Sequence, residues 1–148
     1  MSERPNAEPR DAYPFFSRIT TRWMDNDVYG HINNVVYYSF FDSAVNGYLI
    51  ERGALDIHAG AVIGLVVETH CNFFAALQFP QFVEAGVRVA HVGTSSVRYE
   101  IGLFADGMPT CAASGHFVHV YVDRRTRRPA VLPEALLQAL APLRVDVP

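Results

Sequence analysis

The sequence predicts an α+β fold in which a long antiparallel sheet wraps around one central, buried helix. Apolar residues recur every three or four positions from about residue 34 to Gly53, which is the period of a helix face. Between residues 61 and 122, apolar and polar residues alternate, as they do in strands with one buried face. A sheet with one apolar face needs a layer to cover it, and this helix is the candidate.

The predicted helix has a recognisable boundary at each end. Asn33 or Asn34 can accept hydrogen bonds from the N–H groups that the first turn leaves unpaired, and Gly53 stands where helices often stop in a left-handed turn. The apolar stripe is wide, so we expect the helix to be mostly buried. Its members are Val35, Val36, Tyr37, Tyr38, Phe40, Phe41, Ala44, Val45, Tyr48 and Leu49.

Five strands and a short terminal helix complete the prediction. One strand precedes the long helix, at residues 13–22, and four follow it, at 61–77, 81–92, 95–104 and 110–122. The turns Gly93-Thr94 and Asp106-Gly107 separate the last three strands. The side chains of strand 61–77 that we expect to face the core are Ile63, Leu65, Val67, Cys71, Phe73 and Leu77. The final helix is predicted at residues 132–143, with Pro133 in its first turn.

Composition narrows the classes of function. The chain has 148 residues, of which 50% are hydrophobic, and a formal net charge of −3, which argues against general nucleic-acid binding. Cys71 and Cys111 are too few for a disulfide framework and lie in no metal-ligand spacing, so we expect neither a metal nor a cofactor. With no leader and no membrane-length apolar run, a cytoplasmic protein without membrane contact is predicted. Residues 1–12 are expected to be a flexible segment before a single domain at residues 13–148.

The junction before the long helix carries the chemistry. Asp25 and Asp27 stand on a turn that leads into the helix N-terminus, where unpaired N–H groups and the helix dipole favour negative charge. From residue 25 to residue 37 the chain reads DNDVYGHINNVVY. This resembles the D-x-D-x-x-G-H-x-N-N-x-x-Y signature of hotdog-fold acyl-CoA thioesterases of the 4-hydroxybenzoyl-CoA thioesterase type. The segments GTSSV from residue 93 and YVD from residue 121 resemble later parts of the same family.

The resemblance covers residues 13–143 and implies a hotdog fold, hydrolysis of an acyl-CoA thioester and specific residue roles. Asp27 is implied as the nucleophile or general base, and a backbone N–H of Asn34 or Val35 as the group that polarises the thioester carbonyl. His31 is included among the catalytic residues, whereas Asp25 is expected to be a turn or cap residue. Some members have an aromatic residue and proline where this chain has Asn34 and Val35, so their preference for aryl substrates is not carried over.

The substrate-binding residues that we predict lie in the motif, on a strand face and at turns. They are Gly30, Asn33, Tyr37, His70, Ser95, Ser96, Arg98 and Arg125. Arginine forks match phosphate oxygens, so the candidates for the coenzyme A phosphates are Arg88, Arg98, Arg124, Arg125, Arg127 and Arg128. Each also has a plain alternative as a capping, core or solvent-facing residue. His116 and His119 have opposite strand parity and are predicted to be structural.

The resemblance also implies a homodimer or homotetramer with active sites at subunit interfaces. Open sheet edges in a single chain point the same way, because pairing between subunits would cover them. Two other functions remain open on the sequence: a thioesterase acting on acyl-carrier protein, and a non-catalytic module that binds acyl-CoA. The Asp27 motif speaks against a third, a hydratase, because hydratases generally use an aspartate–histidine pair in a different loop context. A binding module has no need for a carboxylate beside the helix N-terminus.

Overall fold

The computed structural model describes residues 5–145 and contains five strands and two α-helices. Strand β1 precedes the long helix α1, strands β2 to β5 follow it, and α2 lies near the C-terminal end. In chain order the elements are β1 (Phe15–Thr20), α1 (Asn34–Glu51), β2 (Val62–Phe73), β3 (Phe82–Val92), β4 (Ser96–Ala105), β5 (Ala113–Asp123) and α2 (Glu134–Leu140). Short 3-10 turns occupy Arg10–Ala12, Trp23–Asp25 and Ala141–Leu143.

All five strands form one antiparallel sheet in the order β1-β3-β4-β5-β2. Strands β3, β4 and β5 are joined in sequence by turns, and Gly93 N–H donates to the Ser96 carbonyl in the first of these. Strand β2 does not pair with β3, which follows it in the chain, but with β5 at the far edge. As a result β1 and β2 are the two edges of the sheet.

Helix α1 packs its apolar stripe against one face of this sheet, here called the inner face. The alternation predicted for β3 and β4 is confirmed, because Val83, Ala85, Val87, Val89, Val97, Tyr99, Ile101 and Leu103 are fully buried there. The Phe41 ring stacks on Phe117, with centroids 6.3 Å apart. The Tyr48 hydroxyl donates to the Ala139 carbonyl at 2.6 Å and so ties α1 to α2.

The predicted core face of β2 is wrong at Leu65 and Val67. These residues are 37% and 62% exposed in the single chain. A bulge between Val66 and Glu68 breaks the alternation, because Val67 has no pairing position opposite β5. After the bulge the predicted core face holds, because Cys71 is partly buried against the core, the Phe73 ring packs on Tyr37, and Leu77 is fully buried. The other side of β2 has no neighbouring strand among the described residues. The strand also ends at Phe73, four residues before its predicted end.

The outer face of the sheet is covered over β3 and β4 by the chain that precedes β1. Glu8 forms an ion pair with Arg88, with an Oε2 to Nη1 distance of 2.6 Å, and its carbonyl accepts from the Cys111 N–H. The Tyr13 ring lies over Gly86 and Gly102, where any Cβ would approach it within 2.7 Å. These contacts hold residues 8–13 against the sheet. The flexibility of segment 1–12 as a whole stays a prediction. Residues 1–4 and 146–148 lie outside the described residues.

No helix between residues 5 and 145 is long and apolar enough to cross a membrane.

Candidate active site at the head of the long helix

The loop from residue 25 to residue 33, here called the motif loop, is closed by backbone hydrogen bonds. Asp27 N–H donates to the His31 carbonyl at 2.8 Å, and Gly30 N–H donates to the Asp27 carbonyl at 3.1 Å. Gly30 has φ +82°, a conformation that glycine adopts at low cost. Ile32 N–H then donates to the Leu77 carbonyl at 2.8 Å and fixes the loop to the chain after β2.

Asp25 is a structural anchor of the motif loop, as the turn or cap interpretation predicts. Its side chain is 1% exposed, and Oδ1 lies 3.0 Å from Nη2 of Arg22. Oδ2 accepts from the Arg22 N–H at 2.8 Å, and the Asp25 carbonyl accepts from the Asn33 N–H. With both oxygens occupied, this carboxylate holds the loop together.

Asp27 has a different environment, although it lies only two residues away. It is half-buried, and its Oδ1 accepts from the Tyr29 N–H at 2.9 Å. It lines an open cleft of about 780 Å³ together with Trp23, Met24, Asn26, Val28 and Gly30. A carboxylate beside such a cleft can reach a bound ligand.

The first turn of α1 leaves one of the two predicted donors free. Asn33 is the N-cap, and its Oδ1 accepts from the Val35 N–H at 3.1 Å. Val36 N–H donates to the Asn33 carbonyl. The Asn34 N–H makes no hydrogen bond to any part of the chain that the structure describes. This leaves Asn34 as the better placed of the two predicted oxyanion donors.

Apolar side chains surround the motif loop and point into solvent in the single chain. Trp23, Met24, Val28, Tyr29 and Val35 are all strongly exposed, and His31 is exposed beside them. A cluster of exposed apolar residues of this kind typically marks a binding site or a protein interface.

Tyr37 does not face the cleft in the single chain. It is 3% exposed, and its ring packs against Phe73 at a centroid distance of 4.9 Å. Burial raises the pKa of the Tyr37 hydroxyl. Among the predicted substrate contacts, Tyr37 therefore lies within the core of this chain.

His70 and Arg98 line one depression on the outer face, beside a network of ion pairs that the sequence analysis did not predict. Arg98 Nε donates to Glu100 Oε2 at 3.0 Å, and Glu100 Oε1 in turn accepts from Arg88 at 2.8 Å. His70 Nε2 pairs with Asn72 Oδ1, and its ring stacks on His116. Because each strand alternates its side chains between two faces, this network lies on the face opposite α1.

Ser95, Ser96 and Arg125 lie at the other end of the molecule from Asp27. The Ser95 carbonyl accepts from the Tyr121 N–H at 2.7 Å, and Arg125 N–H donates to Asp123 Oδ1 at 2.8 Å. This end of the sheet is beside the C-terminal half of α1, whereas Asp27 is beside its start. With 18 residues at about 1.5 Å each, α1 separates the two groups by roughly 27 Å. A single chain does not bring them together.

The thioesterase-like superfamily model matches residues 21–140 of this chain. The chain belongs to the thioesterase-like superfamily. The crystal structure of the PA5185 protein from Pseudomonas aeruginosa strain PAO1 is 54% identical, with a TM-score of 0.94 over 97% of this chain and 100% of that one. The five-stranded antiparallel sheet with its helix, together with this membership, fits a hotdog fold.

Two further proteins resemble this chain at lower sequence identity. Slr0204 of Synechocystis, a 1,4-dihydroxy-2-naphthoyl-CoA thioesterase, is 16% identical, with a TM-score of 0.77 over 85% of this chain and 94% of that one. At that identity the likeness shows the fold alone. The uncharacterized protein YsmA of Bacillus subtilis (strain 168) is 22% identical over 125 residues, which are 84% of this chain and 83% of the relative.

This chain also contains a cavity that the sequence analysis missed. It lies between the C-terminal half of α1, the start of β2 and the end of β5, has a volume of about 410 Å³, and has His119 in its wall. The predicted opposite parity of His116 and His119 is confirmed, since His116 pairs with Glu68 on the outer face and His119 packs with Phe117 of the core. Parity alone carried no sign of a cavity, because the cavity is formed by elements distant in sequence.

No three histidine, cysteine, aspartate or glutamate side chains lie close enough to hold a metal ion within residues 5–145.

Proposed function

We propose that this protein hydrolyses an acyl-CoA thioester to the free acid and coenzyme A, with the type of chemistry found in 4-hydroxybenzoyl-CoA thioesterases. Its membership of the thioesterase-like superfamily supports thioester hydrolysis in general. The observation that carries the proposal is that the motif loop, with Asp27 beside an open cleft, leads directly into the head of α1, where the N–H of Asn34 is free. One group can act on the carbonyl carbon or on water, and the other can bind the carbonyl oxygen.

The chemistry follows from these two groups. As water or a carboxylate oxygen adds to the thioester carbon, negative charge develops on the carbonyl oxygen, where the Asn34 N–H and the helix dipole stabilise it. Asp27 either removes a proton from the attacking water or adds directly and forms an anhydride, which water then cleaves. In both routes the C–S bond breaks, the thiolate of coenzyme A leaves, and water supplies the proton and the hydroxyl.

We propose that the active unit is at least a homodimer formed through β2. The edge of β2 has no neighbouring strand among the described residues, and the side chains of residues 65–70 are exposed along it. Antiparallel pairing of two β2 edges around a twofold axis would place the start of one β2 beside the end of the other. The motif loop is fixed near the end of β2 through Ile32 and Leu77, so it would face the opposite end of the partner. Two such dimers can pair again into a tetramer.

This arrangement explains how the distant predicted residues join the site. Arg125 of the partner subunit, on the turn after β5, would then stand near Asp27. The guanidinium groups of Arg125, Arg127 and Arg128 make no ion pair or hydrogen bond within residues 5–145, so they are available for phosphate oxygens. Arg88 and Arg124 are instead held by Glu8 and by backbone carbonyls of residues 57 and 60. We therefore assign the coenzyme A phosphates to the turn at residues 123–128.

The test is the steady-state release of free thiol from a panel of acyl- and aryl-CoA thioesters. Asp27→Asn keeps the size of the side chain but removes the base and nucleophile, so we expect at least about a 10²-fold loss of kcat. Asp106→Asn, at an exposed turn, is the matched control and should turn over like the native protein. Thioesters that bind without being cleaved by the native protein would favour the binding module. An Asp27→Asn variant as fast as the native protein would exclude Asp27 as the catalyst.

A further inference from the structure

The cavity beside His119 has the properties of a ligand pocket. Its volume of about 410 Å³ lies within the range of small-molecule sites, which are mostly apolar with a few placed polar groups. Ile57 is 58% exposed at its mouth, so a ligand can enter from solvent. The residues in its wall are Asn46, Leu49, Ile50, Leu55, Ile57, Ile63, Gly64, His119, Tyr121 and Arg124.

His119 is the polar group in this wall that lacks a partner. Its side chain is 4% exposed, and Nε2 is the one buried side-chain nitrogen or oxygen without a hydrogen bond in residues 5–145. The Tyr121 hydroxyl, by contrast, is paired with Tyr99 at 2.7 Å, and Arg124 Nε donates to the Gly60 carbonyl at 2.6 Å. Buried polar atoms are almost always satisfied, so an imidazole without a partner in a cavity wall is a group that a bound water or ligand can satisfy.

Gly64 keeps the space around this imidazole open. A Cβ at position 64 would lie 2.9 Å from Cε1 of Tyr121 and 3.1 Å from Nδ1 of His119. Any other residue on this part of β2 would push both rings out of their positions. Burial also lowers the pKa of His119 to about 4, so the ring is neutral at pH 7 and offers one donor and one acceptor nitrogen.

We infer that this cavity takes the apolar acyl or aryl group of the thioester, and that the His119 imidazole hydrogen-bonds to a hydroxyl group that the acyl or aryl group carries. This inference rests on the proposed function. A hydroxyl suits either tautomer of a neutral imidazole because it can both donate and accept. The rest of the wall is mostly aliphatic and would hold the hydrocarbon part.

Length along α1 decides which subunit supplies the pocket. Asn46, the wall residue nearest to the helix start, is twelve residues beyond Asn34, a rise of about 18 Å at 1.5 Å per residue. A short acyl group at the carbonyl site does not span that distance in its own chain. Antiparallel pairing of the β2 edges turns the cavity of one subunit toward the motif loop of the other. The cavity therefore serves Asp27 of the partner subunit.

The first experiment compares thioesters in matched pairs, each a hydroxyl-bearing acyl or aryl group and its hydrocarbon analogue. His119→Phe keeps an aromatic ring against Tyr99 and Phe117 but removes the nitrogen. We expect kcat/KM for the hydroxylated member of each pair to fall about tenfold, chiefly through KM, while the hydrocarbon member changes little. His91→Phe, at an exposed position of β3, is the control and should leave both members unchanged. Equal effects of His119→Phe on both members would overturn the role of His119.

A binding measurement separates failure of this inference from failure of the proposed function. In the Asp27→Asn protein, the free hydroxylated acid should shift the imidazole ¹⁵N resonances of His119, and Ile57→Trp, which narrows the mouth, should weaken that binding. A shift without any thioester hydrolysis by the native protein would support the cavity and overturn the proposed hydrolase. Hydrolysis that depends on Asp27, without a shift and without an effect of Ile57→Trp, would overturn the cavity alone. No shift and no hydrolysis would overturn both.

Mixing subunits tests the assignment of the cavity across the interface. A dimer of one Asp27→Asn subunit and one Ile57→Trp subunit contains one intact site only if Asp27 and the cavity come from different chains. Random mixing of equal amounts should then restore about a quarter of native activity toward a substrate that neither parent cleaves. No recovery in a verified mixed dimer would overturn the assignment of the cavity to the partner's site.

Discussion

The Asp27 carboxylate accepts one hydrogen bond from the Tyr29 N–H, at 2.9 Å from Oδ1, and Oδ2 accepts none from residues 5–145. Asp25 in the same loop has both oxygens bound to Arg22. Two carboxylates two residues apart thus have opposite environments, since Asp25 is bound within the loop and Asp27 remains open to the cleft. Replacing Asp25 and replacing Asp27 should therefore change different properties of the protein.

Asp25→Asn should mainly reduce stability. The change leaves the charge of Arg22 without its partner and turns an amide NH₂ toward a donor in a buried place, which costs about 1–3 kcal/mol. Urea unfolding monitored by circular dichroism gives the free energy of unfolding. The exposed pair of Asp106 with Arg18 provides the comparison, because Asp106→Asn should change stability by only about 0–1 kcal/mol. Equal losses in the two variants would contradict the anchoring role of Asp25.

Asn33→Ala should weaken the start of α1. The Val35 N–H loses its acceptor, which costs about 1 kcal/mol of stability. Because the Asn34 N–H sits in the same turn, we also expect a lower kcat in the thiol-release assay. Asn33→Asp retains the acceptor and should keep both properties close to native. If Asn33→Ala matches Asn33→Asp in unfolding and turnover, the cap does not position the donor.

Val67→Lys should separate the subunits. Val67 is exposed at the bulge of β2 in the single chain, so lysine there costs the monomer little, but a charge on an edge strand opposes pairing. Light scattering should show a smaller mass, and activity should fall with it because the proposed site uses two chains. Val131→Lys makes the same change at another exposed valine, away from the sheet edge, and should keep native mass and activity. A Val67→Lys protein of native mass would argue against pairing through β2.

The stability of the protein should fall as the pH drops from about 6.5 to about 4, and His119 should account for a share of that fall. Burial lowers the pKa of His119 from 6.5 to about 4, so in this window the unfolded chain binds a proton that the folded chain does not. The stability contributed by the neutral ring is fully present above the pKa of the unfolded chain. Acidification to about pH 4 lowers the free energy of unfolding by up to about 3 kcal/mol through this group.

Urea unfolding of the native protein and of His119→Phe at several pH values isolates this share. Losses from carboxylates are common to both proteins and cancel in the difference. The variant should show a flatter dependence between pH 6.5 and pH 4. Parallel curves for the two proteins would show that His119 is not held neutral in the fold.

The local sequence pattern was sufficient to predict much of the structure of this protein. The bounds of α1, its cap at Asn33 and the buried alternation of β3 and β4 follow from interactions between residues close in sequence. The same holds for the motif loop, because Asp25, Asp27 and Asn34 are only a few residues apart. The resemblance carried by those residues led to the superfamily that the comparison confirmed.

Only the tertiary structure decided the placement of β2 and the His119 cavity. Alternation predicted a core-facing Val67, but the bulge and the edge position depend on pairing with β5, some fifty residues later. The unpaired Nε2 of His119 likewise results from packing among α1, β2 and β5. Periodicity reports which face of its own element a residue occupies. Neighbours across the sheet are set by chain topology and by competition among distant segments for the same surface, and a pattern within one segment does not record them.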